Sequence, residues 1–519
     1  MTTSPTPDSF ASLLAARRSD RPALLAPDRP PLSYAGLDDL AATCRAQLAA
    51  QGVGRGDRVA IVLPNGPEMA AAFLAVGSGA TTCPLNPAYR HDEFAFYLED
   101  LNAKALVLPA GSDSPAAAAA KERGIALLEL SHDETAAAGT FTLSPAGEPA
   151  DAPVTESASE RQDLALILHT SGTTSRPKIV PLSQANLLAS ASNIGNALAL
   201  TAEDRCLNVM PLFHIHGLIA AVLSSLFAGG SIVCTPGFNA LRFMSWLEAT
   251  KPSWYTAVPT MHQAILARGK RQPDAAKAAG LRFIRSSSAS LPPQVMQEVE
   301  ALFGCPVIES YGMTEASHQM ASNALPPGQR KPGSVGLPAG PEVALLTEAG
   351  EVTSLAAVVG EVIIRGANVT AGYESNPKAN AEGFLQDEGG AWFRTGDQGT
   401  FDADGYLTIT GRLKEIINRG GEKVSPREVD EVLLDHAAVA QAVTFAMPHS
   451  KLGEEVAAAV VLAEGEALEE AALKEFLAAR LADFKVPRKI IFLDEIPKGP
   501  TGKLQRIGLA DKLGLGAKA

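Results

Sequence analysis

The sequence predicts an α/β protein of more than one domain, with a β-rich unit late in its larger part and a compact α+β unit after it. Three observations predict this. The chain has 519 residues, well beyond the roughly 150 of a typical domain. Strand and helix patterns alternate through its first part at the spacing of βαβ units. Short segments broken by Gly, Pro and Asp-Gly turns then fill residues 333–410.

Taken in order, a Ser/Tyr-led helix is expected over 33–51, a strand over 58–63, a helix over 66–77 and a turn at 84–87. Residues 109–120 and 132–160 are rich in Ala, Ser, Pro and Glu with weak periodicity, and are expected as surface connections. Alternation resumes with a strand over 164–169, a loop, and a helix near 185–197; further strands are expected at 254–258, 283–287 and 307–311. The turn-rich stretch 333–410 suits a small barrel or a twisted antiparallel sheet. A domain boundary is expected at 411–415. Beyond it lie helices near 426–434 and 468–481, strands near 439–446 and 457–462, and a loop at 497–505.

Composition narrows the function. With 46% hydrophobic and 19% charged residues the chain is globular rather than disordered. No apolar run approaches the ~18 residues of a spanning helix. The first residues lack the basic and apolar regions of a secretory signal, and the last lack a peroxisomal tripeptide, so a cytoplasmic protein without a membrane partner is expected. A net charge of -13 disfavours nucleic acid. The five cysteines, with no C-x-x-C pair, indicate buried thiols rather than zinc ligands or disulfides.

The segment 169–183, HTSGTTSRPKIVPLS, follows an apolar strand and precedes a helix. It gathers Thr170, Ser171, Gly172, Thr173, Thr174 and Lys178. Small hydroxyl residues and a glycine let backbone N–H groups close around phosphate oxygens, and a lysine adds a mobile positive charge. The Walker A spacing fails, because Pro177 stands at its second glycine and Ile179 at its hydroxyl. By itself the segment could be a solvated Ser/Thr loop. It resembles, however, the signature loop of the adenylate-forming superfamily, which comprises acyl-CoA synthetases, nonribosomal peptide adenylation domains and firefly luciferases. Further segments similar to that family's motifs follow in its order over nearly the whole chain.

The resemblance implies a large N-terminal domain, 1–411, of two α/β subdomains plus a small β-barrel, and a smaller mobile α+β domain, 412–519. It also implies site residues. Ser310-Tyr311-Gly312-Met313-Thr314-Glu315 is similar to the motif in which the aromatic ring lies on adenine, the threonine meets the α-phosphate and the glutamate holds Mg²⁺. Ser288-Ala289-Ser290 is at the adenine-edge turn. Asp397, in Thr395-Gly396-Asp397, would accept the ribose hydroxyls, with Arg412 beside it. Alone, Asp397 could cap a turn and Arg412 could be a surface ion pair.

Lys414 matches the pivot of the smaller domain. Gly420-Gly421-Glu422-Lys423 resembles the loop lining the CoA channel, although two such glycines also suit a hairpin turn. Lys503, in Pro500-Thr501-Gly502-Lys503, matches the mobile lysine of the adenylation step, where it would stabilise charge developing on the α-phosphate. Pro211-Leu212-Phe213-His214-Ile215-His216-Gly217 matches the acyl-pocket motif, with His214 beside the substrate carboxylate.

The implied reaction joins a carboxylic acid to AMP and then to coenzyme A, with ATP and Mg²⁺ as cofactors and CoA as co-substrate. His318, after the Tyr311–Glu315 motif, and Ser290 resemble the subfamily that takes oxalate, whose second carboxylate needs polar partners. Malonate, glycolate and short monocarboxylates remain alternatives, and His318 could equally be a satisfied core histidine. Ile179 departs from the family, which has glycine there. It is expected to stiffen the loop exit and limit turnover, and it makes a non-catalytic adenylate sensor conceivable.

Overall fold

The structure, a computed structural model, describes residues 7–147, 152–170, 177–497 and 505–516. A seven-stranded sheet and a nine-stranded sheet form the two α/β layers of the larger part. In the first, Ala126–Ser131, Ala105–Pro109, Arg58–Ile61, Thr81–Pro84 and Leu164–Thr170 run parallel in that order. Antiparallel edges, Thr142–Pro145 and Lys178–Ser183, close its two sides. The second sheet has a parallel centre that includes Arg205–Asn208, Trp254–Ala257, Phe283–Ser286 and Val307–Met313. His318–Ser322 returns antiparallel to the last of these.

The helices form where capping and periodicity demand. Tyr34–Ala50 begins at Ser33, whose hydroxyl accepts from the Gly36 N–H, and it buries Leu37, Leu40, Cys44 and Leu48 at helical spacing. Pro67–Gly77 starts with proline at its first turn and is buried along its whole length. It packs between the two α/β layers. Phe10, Leu24, Trp254, Phe283 and Ile308 share one continuous core with residues of both sheets.

Two of the expected connections hold regular structure. The stretch 109–120 leads into the helix Pro115–Lys121, whose alanines Ala116, Ala119 and Ala120 are buried. Within 132–160, Thr142–Pro145 pairs with Ala126–Ser131. A short alanine helix and an edge strand carry little periodic contrast, which hides them from a pattern reading.

Residues 333–410 supply a six-stranded antiparallel sheet. Val352–Thr353, Glu342–Leu346, Val359–Arg365, Gly390–Phe401 and Phe384–Asp387 follow one another across it, and Leu407–Arg412 pairs onto Gly390–Phe401 off that path. Its long strand Gly390–Phe401 pairs first with Phe384–Asp387 and then with Leu407–Arg412. Beyond Arg412 a five-stranded sheet with the helices Pro426–Leu434 and Glu470–Ala478 encloses separate hydrophobic clusters, centred on Ile417, Val429, Val456 and Leu473, and on Phe445 and Ile496. None of these clusters includes a residue before 417. No helix among the described residues is long and apolar enough to cross a membrane.

Candidate active site

The site assembles where the parallel strands of the second sheet end and the β-rich unit folds against them. Val307–Met313 carries Ser310, Tyr311 and Gly312, and a bulge between Tyr311 and Gly312 turns the chain into Thr314 and Glu315. Gly312 is required there. A Cβ at this position would lie 2.0 Å from the His318 carbonyl oxygen.

The Tyr311 hydroxyl donates to Asp397, whose other oxygen forms an ion pair with Arg412, 3.0 Å from its Nε. Asp397 and Arg412 are cross-strand partners in the β-rich unit, so sheet register places the two side chains together. The Thr395 hydroxyl fixes the turn by accepting from the Asp397 N–H at 3.1 Å. The Tyr311 segment on the α/β sheet and the Asp397 segment on the β-rich unit therefore meet through a hydrogen bond. The expected grouping of Tyr311, Asp397 and Arg412 is present in space.

Glu315 lies beside them, 5% exposed, and accepts from the Tyr373 hydroxyl at 2.8 Å. Burial raises its pKa above the ordinary carboxylate value, against the pull of Tyr373, Arg412 and Lys178. Lys178 Nζ sits 4.3 Å from the centre of the Tyr373 ring. Tyr373 thus contacts both the carboxylate and the lysine. No motif contained it, because it lies 58 residues from Glu315 along the chain.

Among the described residues, no group of three or more His, Cys, Asp or Glu side chains is placed to hold a metal ion. A lone buried carboxylate beside a lysine fits Mg²⁺, which commonly takes one or two protein carboxylates and completes its shell with phosphate oxygens and water.

Thr170 and Lys178 are paired across Leu164–Thr170 and Lys178–Ser183. Ser171, Gly172, Thr173 and Thr174 lie outside the described residues. So does Lys503 with its loop.

The expectation for Ile179 is corrected. The loop is followed by a strand and not directly by a helix, and Ile179 is its second residue, opposite His169. It is 7% exposed and packs with Ala60, Leu85, Phe94 and Ile167. Its φ is not positive, so a β-branched residue suits the position. Ile179→Gly is expected to lose about 3–5 kcal/mol in urea unfolding through the cavity and the weakened strand, with no gain in turnover. An equally stable and faster variant would restore the loop-exit view.

A second constellation lies deeper in the same layer. His216 opens the π-helix His216–Leu223, a form often found at functional sites. Its Nδ1 is 3.0 Å from Ser288 Oγ and its Nε2 is 2.6 Å from Thr256 Oγ1. Its ring centre stands 5.1 Å from that of His318. His214, the expected carboxylate partner, lies just before this helix with its ring 4.7 Å from Phe213. Ser290 is half-buried and Ala289 exposed in the turn that Ser288 begins. Strain collects here, because Ser288, Ser317 and His318 have φ of +73°, +50° and +100°. Such conformations cost roughly 1–3 kcal/mol each and persist where surrounding structure fixes them.

Glu309 anchors that turn. It is 1% exposed, accepts from the Leu291 N–H at 2.9 Å, and its second oxygen has no partner. Burial pushes its pKa up to about 7, although the Leu291 N–H and Arg427 act the other way. The folded protein therefore holds this proton more tightly than the unfolded chain, and the associated stability is lost as pH rises from about 4.5 through about 7. Glu309→Gln is expected to gain on wild type by about 3 kcal/mol more at pH 8 than at pH 4. A pH-independent difference in denaturant unfolding would show that Glu309 titrates in the folded protein as it does in the unfolded chain.

Of the C-terminal expectations, Gly420 and Gly421 form the two-residue turn of a hairpin between Ile417–Arg419 and Glu422–Val424, with φ of +60° and +102°. Glu422 is exposed and Lys423 forms an ion pair with Glu348 of the β-rich unit. Among the described residues no hydrogen bond or ion pair joins 420–423 to Tyr311, Glu315 or Asp397. Lys414 is exposed, two residues after Arg412.

Residues 13–374 match the AMP-binding enzyme family, and residues 428–503 match the AMP-binding enzyme C-terminal domain. The chain belongs to the AMP-binding enzyme family. Among curated relatives it is 45% identical to an oxalate–CoA ligase of Arabidopsis thaliana, covering 96% of this chain and 97% of the relative. It is 43% identical to an oxalate–CoA ligase of Saccharomyces cerevisiae, covering 88% and 87%. Among solved structures, ATP-bound MatB from Rhodopseudomonas palustris superimposes with a TM-score of 0.84 at 30% identity, covering 97% of this chain and 98% of that one.

Proposed function

We propose that this chain is an ATP-dependent carboxylate–CoA ligase acting on oxalate. The observation that carries the class is the meeting of Tyr311, Asp397 and Arg412 beside Glu315, Tyr373 and Lys178. An aromatic face, a carboxylate suited to two vicinal hydroxyls and a carboxylate flanked by cationic groups together match the parts of a nucleoside polyphosphate. The substrate follows from the oxalate–CoA ligases of plant and yeast at 43–45% identity.

A carboxylate is a poor electrophile. In the first half-reaction one of its oxygens attacks the α-phosphorus of ATP, the bond to the β-phosphate oxygen breaks, and pyrophosphate leaves. In the second, the CoA sulfur attacks the acyl carbon of the mixed anhydride, AMP departs and the thiol proton passes to solvent.

In this chain Tyr311 would stack on adenine within the turn made by Ser288, Ala289 and Ser290. Asp397 would hold the ribose with Arg412, and Thr170 to Thr174, Lys178 and Thr314 would bind the phosphates. Mg²⁺, when bound, neutralises charge on the phosphate oxygens, and Glu315 would hold it. His214 and His318 would face the acid, and Lys503 would approach the α-phosphate in the first step only. Gly420, Gly421, Glu422 and Lys423 would line the CoA channel in the second. Two demands on one small domain favour a division into 1–411 and 412–519, turning near Lys414. The separate cores beyond Arg412 support that division.

Pyrophosphate release from Mg-ATP across oxalate, malonate, glycolate, acetate and longer acids, with and without CoA, tests the proposal. Oxalate-dependent release with an oxalyl-CoA product is the expected result. Release with another acid would keep the class and overturn the substrate. Silence across the panel with ATP still bound would overturn both.

A further inference from the structure

Arg285 is an unusual occupant of a sheet core. It stands in the strand Phe283–Ser286 and is 0% exposed. A guanidinium presents five N–H donors and remains protonated at neutral pH. Here one nitrogen makes long contacts, 3.3 Å to Gln319 Oε1 and 3.4 Å to His318 Nδ1, while Nε and the other terminal nitrogen have no hydrogen-bond partner. No carboxylate pairs with it among the described residues. Burial keeps the nearby Cys206 thiol protonated, so it supplies no counter-charge.

Placing one charge in a protein interior costs several kcal/mol unless an opposite charge and hydrogen bonds offset it. Burial lowers the Arg285 pKa only to about 9, so the cation survives at neutral pH. Proteins rarely leave such a cation without a partner. An anion with several acceptor oxygens would satisfy these donors and offset the charge.

The surroundings indicate where that anion comes from. His318 and Gln319 open the strand that follows the Tyr311–Glu315 segment. His318 faces His216, and His216 reaches Ser288 at the turn proposed to hold adenine. A chain of polar side chains thus leads from the nucleotide end of the site to Arg285.

We propose that Arg285 is the specificity-determining residue of the acyl pocket and binds the carboxylate that is not adenylated, with His318 and Gln319 beside it. The substrate class is then small acids bearing a second anionic group. A guanidinium suits the two oxygens of such a group better than an ammonium, because it can donate two parallel hydrogen bonds. This inference rests on the pocket being the carboxylate site of a CoA ligase, but it does not require oxalate to be the acid.

The test measures adenylation, as pyrophosphate release, for wild type, Arg285→Met and Arg285→Lys. The acids are oxalate, malonate, sulfoacetate, acetate and propionate. ATP affinity is measured by calorimetry in parallel. For the doubly charged acid that wild type prefers, kcat/KM is expected to fall roughly 100-fold or more in Arg285→Met, the scale seen when a buried charge loses its partner. The fall should appear first in KM. Acetate and propionate should not fall with it, so the ratio between the two classes shifts by a similar factor, and ATP affinity should hold within about three-fold.

Arg285→Lys keeps the charge and is read in the same way if the methionine variant does not fold. It should retain part of the preference. An equal loss for all acids, or no change for the doubly charged one, would overturn the proposal. A wild type that ignores oxalate but prefers malonate or sulfoacetate, and loses that preference in Arg285→Met, would overturn oxalate as the substrate and leave the role of Arg285 standing. A wild type that prefers monocarboxylates would overturn the role itself.

Discussion

Lys503→Ala is expected to slow acyl-adenylate formation roughly a hundred- to a thousand-fold while leaving CoA transfer from supplied acyl-adenylate within a few-fold of wild type. The pentavalent transition state gathers charge on the non-bridging oxygens of the α-phosphate, and a lysine brought there stabilises it more than the bound ATP. The second half-reaction attacks carbon, where that charge is absent. Half-reaction assays separate the steps: pyrophosphate release for the first, and AMP release from synthetic acyl-adenylate plus CoA for the second. Equal losses in both would remove the assigned role. A bulky residue at Gly421 should show the opposite asymmetry. Its φ of +102° strains any side chain, even though no atom lies within 4 Å of a Cβ there.

Glu315→Gln is expected to cost on the order of 100-fold in adenylation and to raise the Mg²⁺ concentration at half-maximal rate at least ten-fold. The amide keeps the size of the side chain and an oxygen for Tyr373, so the 2.8 Å hydrogen bond can persist and the fold should hold. What disappears is the negative charge, and a hard cation binds a neutral amide oxygen more weakly than a carboxylate. Pyrophosphate release titrated against Mg²⁺ at saturating ATP measures this. An unchanged Mg²⁺ midpoint with a reduced rate would make Glu315 a structural acid held by Tyr373.

The sequence made the repetitive parts of this molecule readable and concealed its exceptions. The helix Pro426–Leu434 falls where expected, because a Ser-Pro start and a sharp amphipathic stripe mark it. The strand Lys178–Ser183 was hidden by Pro181, which reads as a breaker yet sits on a sheet edge, where a missing N–H is tolerated. Tyr311, Glu315, Asp397 and Arg412 were legible because each belongs to a short motif whose resemblance names it. His216 lies inside the Pro211–Gly217 motif, but only geometry separates it from His214. Tyr373 and Arg285 belong to no motif. An arginine in an apolar strand carries no signal in the sequence, and its isolation becomes visible once the neighbours across the sheet are known.

The buried cysteines make the protein a reporter of its own opening. Cys44, Cys206 and Cys234 belong to the core shared by the two layers, Cys305 to the core beneath Val307–Met313, and Cys83 to the core against Ile179. Burial pushes the thiols of Cys44, Cys83 and Cys305 up to about 12, and holds those of Cys206 and Cys234 well above the ordinary thiol value. A thiol-specific alkylating reagent should therefore be consumed only when one of these cores breathes, at a different rate for each. No cysteine follows residue 305, so a rotation of the C-terminal unit should leave the labelling pattern silent. Alkylation kinetics would then separate the rigid-body swing proposed for the two half-reactions from a true loosening of the scaffold.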